Sequence, residues 1–444
     1  MATRRRVIVL CDGTWCGRET NTRSNINFLS RMIGINLDIS APSPVVYMSP
    51  TRDVRAAYFD GVGLGGDFMN YLWNGAFATK AKQECTDVYN FTVQNFAWDA
   101  HVQTEVWMFG ISRGAYIVRS VAGMINNCGI IRDRTNTVLI SEVYEIYRRP
   151  HAVNHPSSPE MQRLRNRVSY AVRSPIKFMG IFDTVGSRGV PSLNYHTGSG
   201  FEWPEFYDNL VSTAVEKVYH AVAIHDRLWA FQPCLVSRDP RHAGDPALAD
   251  LEIHQTWFPG CHYDLARQEF QFLRERGTML ESVLFAILSP FSNMVKPNKK
   301  LADLVLLWML RGINANGGGA IIRNIGTEIS NIQRRVPTAD NGSGDVYDNI
   351  LSYIPGGRLF SRPIAWWKNQ NKTIYAILFE PQERVIPHPG ISNGSVSHVW
   401  NETYNYKAAD PSLGGDIIET IADVRPPRYR SKTYDNYVVY IAAI

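Results

Sequence analysis

The sequence of 444 residues lacks any run of about 20 apolar residues, so it contains no candidate membrane-spanning helix. Its six cysteines form no C-x-x-C pair and share no zinc-type spacing with histidine, and no Walker A string occurs. Basic residues form no stripe interleaved with aromatics, and the net charge is only +5. We therefore expect no metal, no cofactor and no nucleic-acid partner.

The amino-terminal segment also lacks the features of a secretory signal. Residues 7–10 are apolar but too few for the core of a signal peptide, and Asp12 follows almost at once. Cys11 and Cys261 lie in apolar segments, as buried reduced thiols do. The sequence therefore predicts a cytoplasmic protein.

Short apolar segments rich in β-branched and aromatic residues alternate with segments of helical periodicity. The predicted strands are 6–10, 45–48, 105–109, 176–182 and 252–258. The predicted helices are 27–33, 78–98, 114–126, 140–148 and 209–224. This alternation predicts an α/β fold with a mostly parallel sheet covered by helices on both faces, in which sites form beyond the carboxyl ends of the strands.

The most informative motif is Gly110-Ile111-Ser112-Arg113-Gly114, which follows a predicted strand and opens a predicted helix. A serine on a sharp strand-to-helix turn stands out toward a substrate, and the flanking glycines leave the room that such a turn needs. The motif therefore favours Ser112 as a nucleophile over the alternative of a serine that only caps the helix.

A nucleophilic serine needs a base, and the base needs a carboxylate that orients it. Asp183 and His262 each follow an apolar segment with the character of a strand. We therefore predict a triad of Ser112, Asp183 and His262, in the chain order of the α/β-hydrolases. Asp183 as a turn cap and His262 as a structural loop residue remain alternatives, and Asp226 and Asp264 remain alternative acids.

Acyl transfer also requires hydrogen-bond donors for a developing oxyanion. One is expected from the backbone N–H of Arg113, the residue after the nucleophile. The backbone N–H groups of Gly13 and Thr14 follow the first predicted strand and are further candidates. The alternative is a simple tight turn in which Asp12 bonds its own backbone.

Four ordered motifs carry a family resemblance. They are Cys-Asp-Gly-Thr-Trp at 11–15, Gly-x-Ser-Arg-Gly-Ala-Tyr at 110–116, Phe-Asp-Thr-Val-Gly at 182–186 and Pro-Gly-Cys-His-x-Asp at 259–264. Together they resemble the α/β-hydrolase family of type VI secretion phospholipase effectors, over roughly residues 5–310. The resemblance implies an α/β-hydrolase-like fold and an ester hydrolase, acting on phospholipids in some members, with Ser112 as nucleophile, Asp183 as orienting acid and His262 as base.

The chain departs from the family pattern directly after His262. The family continues the histidine with Ser-Asp-Val-Gly-Gly-Gly, whereas this chain reads Tyr-Asp-Leu-Ala-Arg at 263–267. The loss of these glycines changes the loop beside the base. A second hypothesis is therefore a non-catalytic protein of the same fold that serves in binding or as a scaffold.

The domain organisation is predicted as one catalytic domain with additions. Residues 1–340 form the α/β-hydrolase-like domain, with lid-type insertions at about 192–204 and 269–300. Residues 341–444 are richer in Pro, Asn and Tyr and are predicted to form a C-terminal subdomain that packs on it.

The substrate side of the predicted site is less specified. The apolar residues 283–288 fit a lid beside a lipid site, although the same pattern is typical of a core helix. Trp15, Leu284 and Phe285 are the candidate substrate-binding residues. The expected substrate is a lipid or another ester; peripheral membrane contact is left open, and the sequence does not determine the oligomeric state.

Overall fold

The computed structural model describes the sheet, its flanking helices and the edge where the predicted motifs meet. The described residues are 2–13, 23–38, 40–51, 53–61, 76–149, 152–185, 211, 213–223, 226, 233–236, 251–258, 260–268, 270–271, 293–295, 297, 299–335 and 397–399. The predicted insertion 192–204, most of 269–300 and most of 341–444 lie outside these residues.

Strands and helices alternate along most of the described chain. The strands are β1 (Thr3–Cys11), β2 (Val45–Met48), β3 (Val54–Phe59), β4 (Val102–Ile111), β5 (Ile176–Phe182), β6 (Val215–Ala223), β7 (Glu252–Phe258), β8 (Phe270–Gln271), β9 (Asn293–Val295) and β10 (Ser397–Val399). The α-helices are α1 (Asn25–Ile33), α2 (Ala76–Asn95), α3 (Arg113–Cys128), α4 (Thr137–Arg148), α5 (Pro159–Val168), α6 (His262–Ala266), α7 (Lys299–Ala315) and α8 (Ile325–Arg335).

The described strands form one main sheet in the order β10-β7-β6-β5-β4-β1-β3-β2. Every neighbouring pair in it is parallel except β2 and β3, and β8 and β9 form a separate antiparallel pair. The mostly parallel α/β sheet predicted from the sequence is confirmed. The strand order reverses between β1 and β4, which is the type of position where such sheets bind ligands.

Alternation along the central strands divides the core into two layers. Val7 and Val9 of β1 pack in the layer that contains α2, α3 and α4. Ile8 and Leu10 pack on the other face, with α1 and α7. Successive side chains of a strand point to opposite faces, so a strand that is apolar at every position requires helices on both sides.

The helix predicted over 209–224 is wrong, because this segment contains strand β6. Val215, Val218 and Val222 recur at helical spacing, yet the segment pairs with β5 on one side and β7 on the other. A short apolar segment fits both the helical and the strand spacing of apolar residues, and β-branched residues favour the strand. Its central place in a parallel sheet, buried on both faces, settles the conformation.

The strands that matter for the site end at the same edge of the sheet. In the register, Cys11 lies opposite Gly110, Gly110 opposite Ile181, and Phe182 opposite Ala221. Because these strands are parallel, the residues that follow β1, β4, β5 and β7 converge at their carboxyl ends. The sheet thereby collects four segments that are far apart in the sequence.

At the far edge of the sheet, β10 pairs with β7 through Ser397 opposite Gln255, so a short part of the predicted C-terminal subdomain extends the sheet. The described part of the insertion 269–300 includes Phe270 paired with Val295. Of the helices in the described ranges, none combines the length and the apolarity needed to cross a bilayer.

Helix α7 covers the face of the sheet beneath β6 and β7. Trp308 is fully buried, and its ring centre lies 5.3 Å from that of Tyr219 and 5.4 Å from that of Phe258. Aromatic contacts of this kind add to the free energy gained by burying the rings. Phe258 ends β7, so α7 supports the strand that leads to His262.

We expect Trp308→Ala to lower the free energy of unfolding by about 3–5 kcal/mol, because it leaves a large cavity among buried rings. Chemical denaturation measures the change. The control Val138→Ala alters a side chain that is 67% exposed, and we expect a change within about 0.5 kcal/mol. Equal effects of the two substitutions would contradict the central role of α7.

Candidate active site

Ser112 lies on a sharp turn between β4 and α3, with a φ of 57° and a ψ of −117°. Such angles cost on the order of 1–3 kcal/mol for a residue with a side chain. The N–H of Ser112 donates to the C=O of Phe182 at 2.9 Å, and the N–H of Tyr116 donates to the C=O of Ser112 at 3.3 Å. The strained turn is therefore tied both to the end of β5 and to the first turn of α3.

At Gly110 and Gly114, neighbouring backbone comes so close that only glycine fits. A Cβ at Gly114 would lie 2.5 Å from the carbonyl oxygen of Asp12 and closer still to that of Cys11. A Cβ at Gly110 would lie 2.5 Å from the carbonyl oxygen of Gly114. The first turn of α3 thus packs directly on the end of β1, with no room for a side chain between them.

Ser112, His262 and Asp183 form a buried line of hydrogen bonds. The Oγ of Ser112 lies 2.9 Å from Nε2 of His262, and Oδ2 of Asp183 lies 2.6 Å from Nδ1. The three residues are only 3%, 1% and 1% exposed, in the order Ser112, His262 and Asp183. Because an ionised carboxylate only accepts, Nδ1 donates to Asp183, and Nε2 is left to accept the serine hydroxyl.

The carboxylate of Asp183 is fixed by strand β6 as well as by the histidine. Its Oδ1 accepts the N–H of Ala223 at 2.9 Å, and its own N–H donates to the C=O of Ala221 at 2.7 Å. Its φ of 40° lies in the left-handed region, which costs free energy for a residue with a side chain. The position of this carboxylate is therefore set before it orients the imidazole.

His262 opens the short helix α6, and two further carboxylates hold its start. The N–H of His262 donates to Oδ2 of Asp226 at 2.9 Å. The N–H of Cys261 donates to Oδ2 of Asp264, also at 2.9 Å. Asp226 and Asp264 were the alternative acids; the structure places both on the backbone at the start of α6, while the imidazole ring bonds Asp183.

Gly13 is a predicted oxyanion donor, and in this structure its N–H has an acceptor within the chain. Its N–H donates to Oδ1 of Asp12 at 2.9 Å, in the tight turn that was the alternative. Gly13 lies against the elbow instead, since a Cβ there would be 3.2 Å from the Cβ of Ser112. Arg113 is the first residue of α3, whereas Thr14, Trp15, Leu284 and Phe285 lie outside the described residues.

Asp12 joins three elements beside the elbow. Besides the Gly13 N–H, its carboxylate accepts the hydroxyl of Tyr58 at 2.6 Å and that of Ser24 at 2.8 Å. Burial raises the pKa of Asp12 from 3.8 to about 6, although its three hydrogen bonds act to lower it; the charge of Asp60 raises it further. Asp12 thus ties the loop after β1 to β3 and to the start of α1.

His220 is a buried residue of the site region that the sequence did not single out for a role. Its Nε2 accepts the N–H of Thr184 at 3.2 Å, and its Nδ1 lies 3.0 Å from Oε1 of Gln255. The same Oε1 accepts the N–H of Val236 at 2.8 Å. His220 thereby holds the residue that follows Asp183. The sequence prediction missed this role because it placed a helix here, and only a strand brings His220 beside β5 and β7.

Within the described ranges, no group of three or more His, Cys, Asp or Glu side chains is arranged to hold a metal ion. The described site brings together the hydroxyl of Ser112, the imidazole of His262 and the carboxylate of Asp183. This set of groups is suited to nucleophilic and general acid–base catalysis.

Comparison with known protein families identifies the family of this chain. The sequence profile for the type VI secretion Tle1-like phospholipase effectors, catalytic domain, matches residues 5–312. The chain belongs to this family. The Tle1-like family takes its name from phospholipase effectors, which are ester hydrolases, and the matched range contains Ser112, Asp183 and His262.

Individual relatives of this Tle1-like chain are distant. An uncharacterized protein of Saccharomyces cerevisiae is 27% identical over 238 residues, which cover 51% of this chain and 32% of the yeast protein. The chain thus spans about a third of the length of that curated relative. The solved structure of the Tle1 effector bound to the VgrG spike of the type VI secretion system is 13% identical, with a TM-score of 0.35, covering 71% of this chain and 74% of that one. An uncharacterized protein from Pseudomonas aeruginosa is 12% identical, with a TM-score of 0.34, covering 86% and 64%.

We expect Gly114→Ala to lower the free energy of unfolding by about 1–3 kcal/mol or more, because the added methyl overlaps backbone carbonyl groups that cannot rotate away. Gly326→Ala, on α8, is the matched control, since a Cβ there would meet no heavy atom within 4 Å. The control should be neutral or stabilise by up to about 1 kcal/mol. Denaturation curves that show equal effects would contradict the close approach of α3 to β1.

We expect Asp12→Asn to remove a pH-dependent loss of stability. Because the pKa of Asp12 is raised from 3.8 to about 6 in the folded protein, its stabilising contribution is complete below the lower value and is lost as the pH rises through the higher one. The loss is on the order of 3 kcal/mol. Unfolding free energies measured from about pH 4 to about pH 8 should fall by that amount in wild type relative to Asp12→Asn.

The control for this pH series is Asp133→Asn, which changes a carboxylate on an exposed turn. Its pH dependence should run parallel to that of wild type over the same range. A constant difference between wild type and Asp12→Asn across the series would contradict the raised pKa of Asp12.

Proposed function

We propose that the protein is a serine carboxylic-ester hydrolase of the lipase or phospholipase type, working through an acyl-enzyme. The observation that carries this proposal is the buried hydrogen-bonded line from Ser112 through His262 to Asp183. Ser112 is the nucleophile and His262 the general base. Asp183 orients the imidazole and stabilises the imidazolium that forms during the reaction.

In acylation, Nε2 of His262 takes the hydroxyl proton while Oγ of Ser112 bonds to the ester carbonyl carbon. The carbonyl π pair moves to oxygen and gives a tetrahedral oxyanion. When that pair returns, the bond to the leaving oxygen breaks, and His262 gives its proton to the departing alcohol. Water then attacks the acyl-serine in the same manner and releases the carboxylic acid and the free hydroxyl.

The proposed oxyanion donor is the backbone N–H of Arg113. It belongs to the residue that follows the nucleophile and opens α3. The partial positive charge of a helix N-terminus also favours a developing anion at this place. Because the Gly13 N–H bonds Asp12, Thr14 is the proposed second donor from the loop after β1.

Strain at the elbow favours a hydrolase over the non-catalytic alternative. Ser112 and Asp183 both have positive φ angles, and strained residues of this kind cluster at functional sites. A serine hydroxyl that is hydrogen-bonded to Nε2 of an oriented imidazole is the arrangement that activates a nucleophile. The intact hydrogen-bonded line therefore supports catalysis, although the chain departs from the family pattern after His262.

A lipid ester is the proposed substrate class, supported by membership of the phospholipase effector family. We propose Trp15, Leu284 and Phe285 as residues that contact the acyl chain, and peripheral contact with a membrane as the way in which the substrate is reached. The net charge of +5 adds a slight attraction to anionic lipid surfaces.

We expect Ser112→Ala to lower hydrolysis of a short-chain p-nitrophenyl ester by a factor of about 10⁴–10⁶, because the nucleophile is lost. The melting temperature should change little, since alanine keeps the Cβ and removes only the hydroxyl. The control Ser141→Ala removes an exposed hydroxyl from α4 and should retain full activity. Residual activity above about a thousandth of wild type would contradict the assignment of Ser112.

A fluorophosphonate probe tests the activated serine without any choice of substrate. Wild type and Ser141→Ala should be labelled, and Ser112→Ala should not. A folded wild-type protein that resists the probe would favour the binding or scaffold alternative. Hydrolysis of the short ester without hydrolysis of phosphatidylcholine or phosphatidylglycerol vesicles would restrict the substrate to small soluble esters.

A further inference from the structure

The turn that follows α6 has an arginine where glycine is usual. Arg267 has a φ of 54° and a ψ of 37°, the left-handed conformation that closes many helices. Its N–H donates to the C=O of Asp264 at 3.2 Å, and the N–H of Gln268 donates to the C=O of Tyr263 at 2.9 Å. These bonds end the helix that begins at His262.

The side chain of Arg267 is bound in an ion-pair cluster around the buried carboxylate of Asp303. Its Nη2 donates to Oδ1 of Asp303 on α7, a residue that is only 1% exposed. Arg335 of α8 donates to the same carboxylate, from Nε at 2.7 Å and from Nη2 at 2.6 Å. The guanidinium groups of Arg267 and Arg335 lie 4.7 Å and 5.6 Å from the ring centre of Phe28 on α1. The cluster thus joins the end of α6 to three other helices.

A second contact holds the same helix from the side of α1. Nδ2 of Asn25 donates to the C=O of Leu265 at 2.8 Å and to the C=O of Ala302 at 3.1 Å. Asn25 is fully buried, so these bonds are sheltered from water. The carbonyl end of α6 is therefore tied to α1 and α7, and Arg267 fixes the turn that follows.

We propose that Arg267 is a positioning residue that fixes α6, and with it the imidazole of His262, relative to Ser112. The inference rests on the proposed role of His262 as the base. A helix of five residues is too short to be stable alone, so the contacts at its ends decide where its side chains lie. The Arg267–Asp303 ion pair therefore holds the residue that closes α6 against α7.

The test compares three variants in the full chain. Arg267→Gly removes the side chain and relieves the backbone, while Arg267→Lys keeps the charge without the planar guanidinium. Arg335→Met is the matched control, because it removes the other guanidinium from Asp303 and leaves the turn after α6 unchanged. All three are measured for kcat and KM on a short-chain p-nitrophenyl ester and for the rate of fluorophosphonate labelling.

We expect Arg267→Gly to lower kcat and the labelling rate by about tenfold to a hundredfold with little change in KM, since small displacements of a catalytic group have effects of this size. Arg267→Lys should recover part of the loss, and Arg335→Met should change kcat less than about twofold. Equal falls in kcat for Arg267→Gly and Arg335→Met would overturn the positioning role and leave only a shared structural one.

Hydrogen–deuterium exchange of the amides at 261–268 measures how firmly α6 and the turn after it are held, independently of any hydrolysis. Exchange there should be faster in Arg267→Gly and unchanged in Arg335→Met, with the rest of the sheet protected in both. Unchanged exchange in Arg267→Gly would overturn the proposal. A wild type that resists the fluorophosphonate overturns the proposed function. Faster exchange confined to Arg267→Gly still supports the role of Arg267 in fixing α6.

Discussion

Ser112 stands between β4 and α3 because the first turn of α3 lies directly against the end of β1. That approach is possible only with hydrogen at the Cα of Gly114, where a Cβ would overlap the carbonyl groups of Cys11 and Asp12. The same packing places the loop after β1 beside the serine, with Gly13 against its side chain. The position of the elbow against the end of β1 therefore depends on this close backbone contact.

The start of α1 connects the two sides of the site. Ser24 caps α1 by accepting the N–H of Asn27 at 3.0 Å, and its hydroxyl donates to Asp12 beside the elbow. The next residue, Asn25, reaches the C=O of Leu265 in the helix that carries His262. The start of α1 is thus hydrogen-bonded both to the serine side and to the histidine side of the site.

The convergence of Ser112, Asp183 and His262 could be predicted because each follows an apolar strand, and the carboxyl ends of parallel strands meet at one edge. The central strands could also be predicted, because burial on both faces makes them apolar at nearly every position. The contacts of His220 and of Arg267 could not be predicted from the sequence. They depend on which helices and strands become neighbours, and the short segment around His220 satisfies both the helical and the strand period.

The order in which the chain comes together follows from the sequence separation of the line. Ser112 and His262 are 150 positions apart, and Asp183 and His262 are 79 apart. Contacts between such distant segments form late, because the entropy of closing long loops opposes them until the sheet is in place. An unfinished chain, or one that has lost part of its sheet, holds the hydroxyl away from the imidazole. The proposed chemistry therefore requires the folded sheet that brings the hydroxyl and the imidazole together.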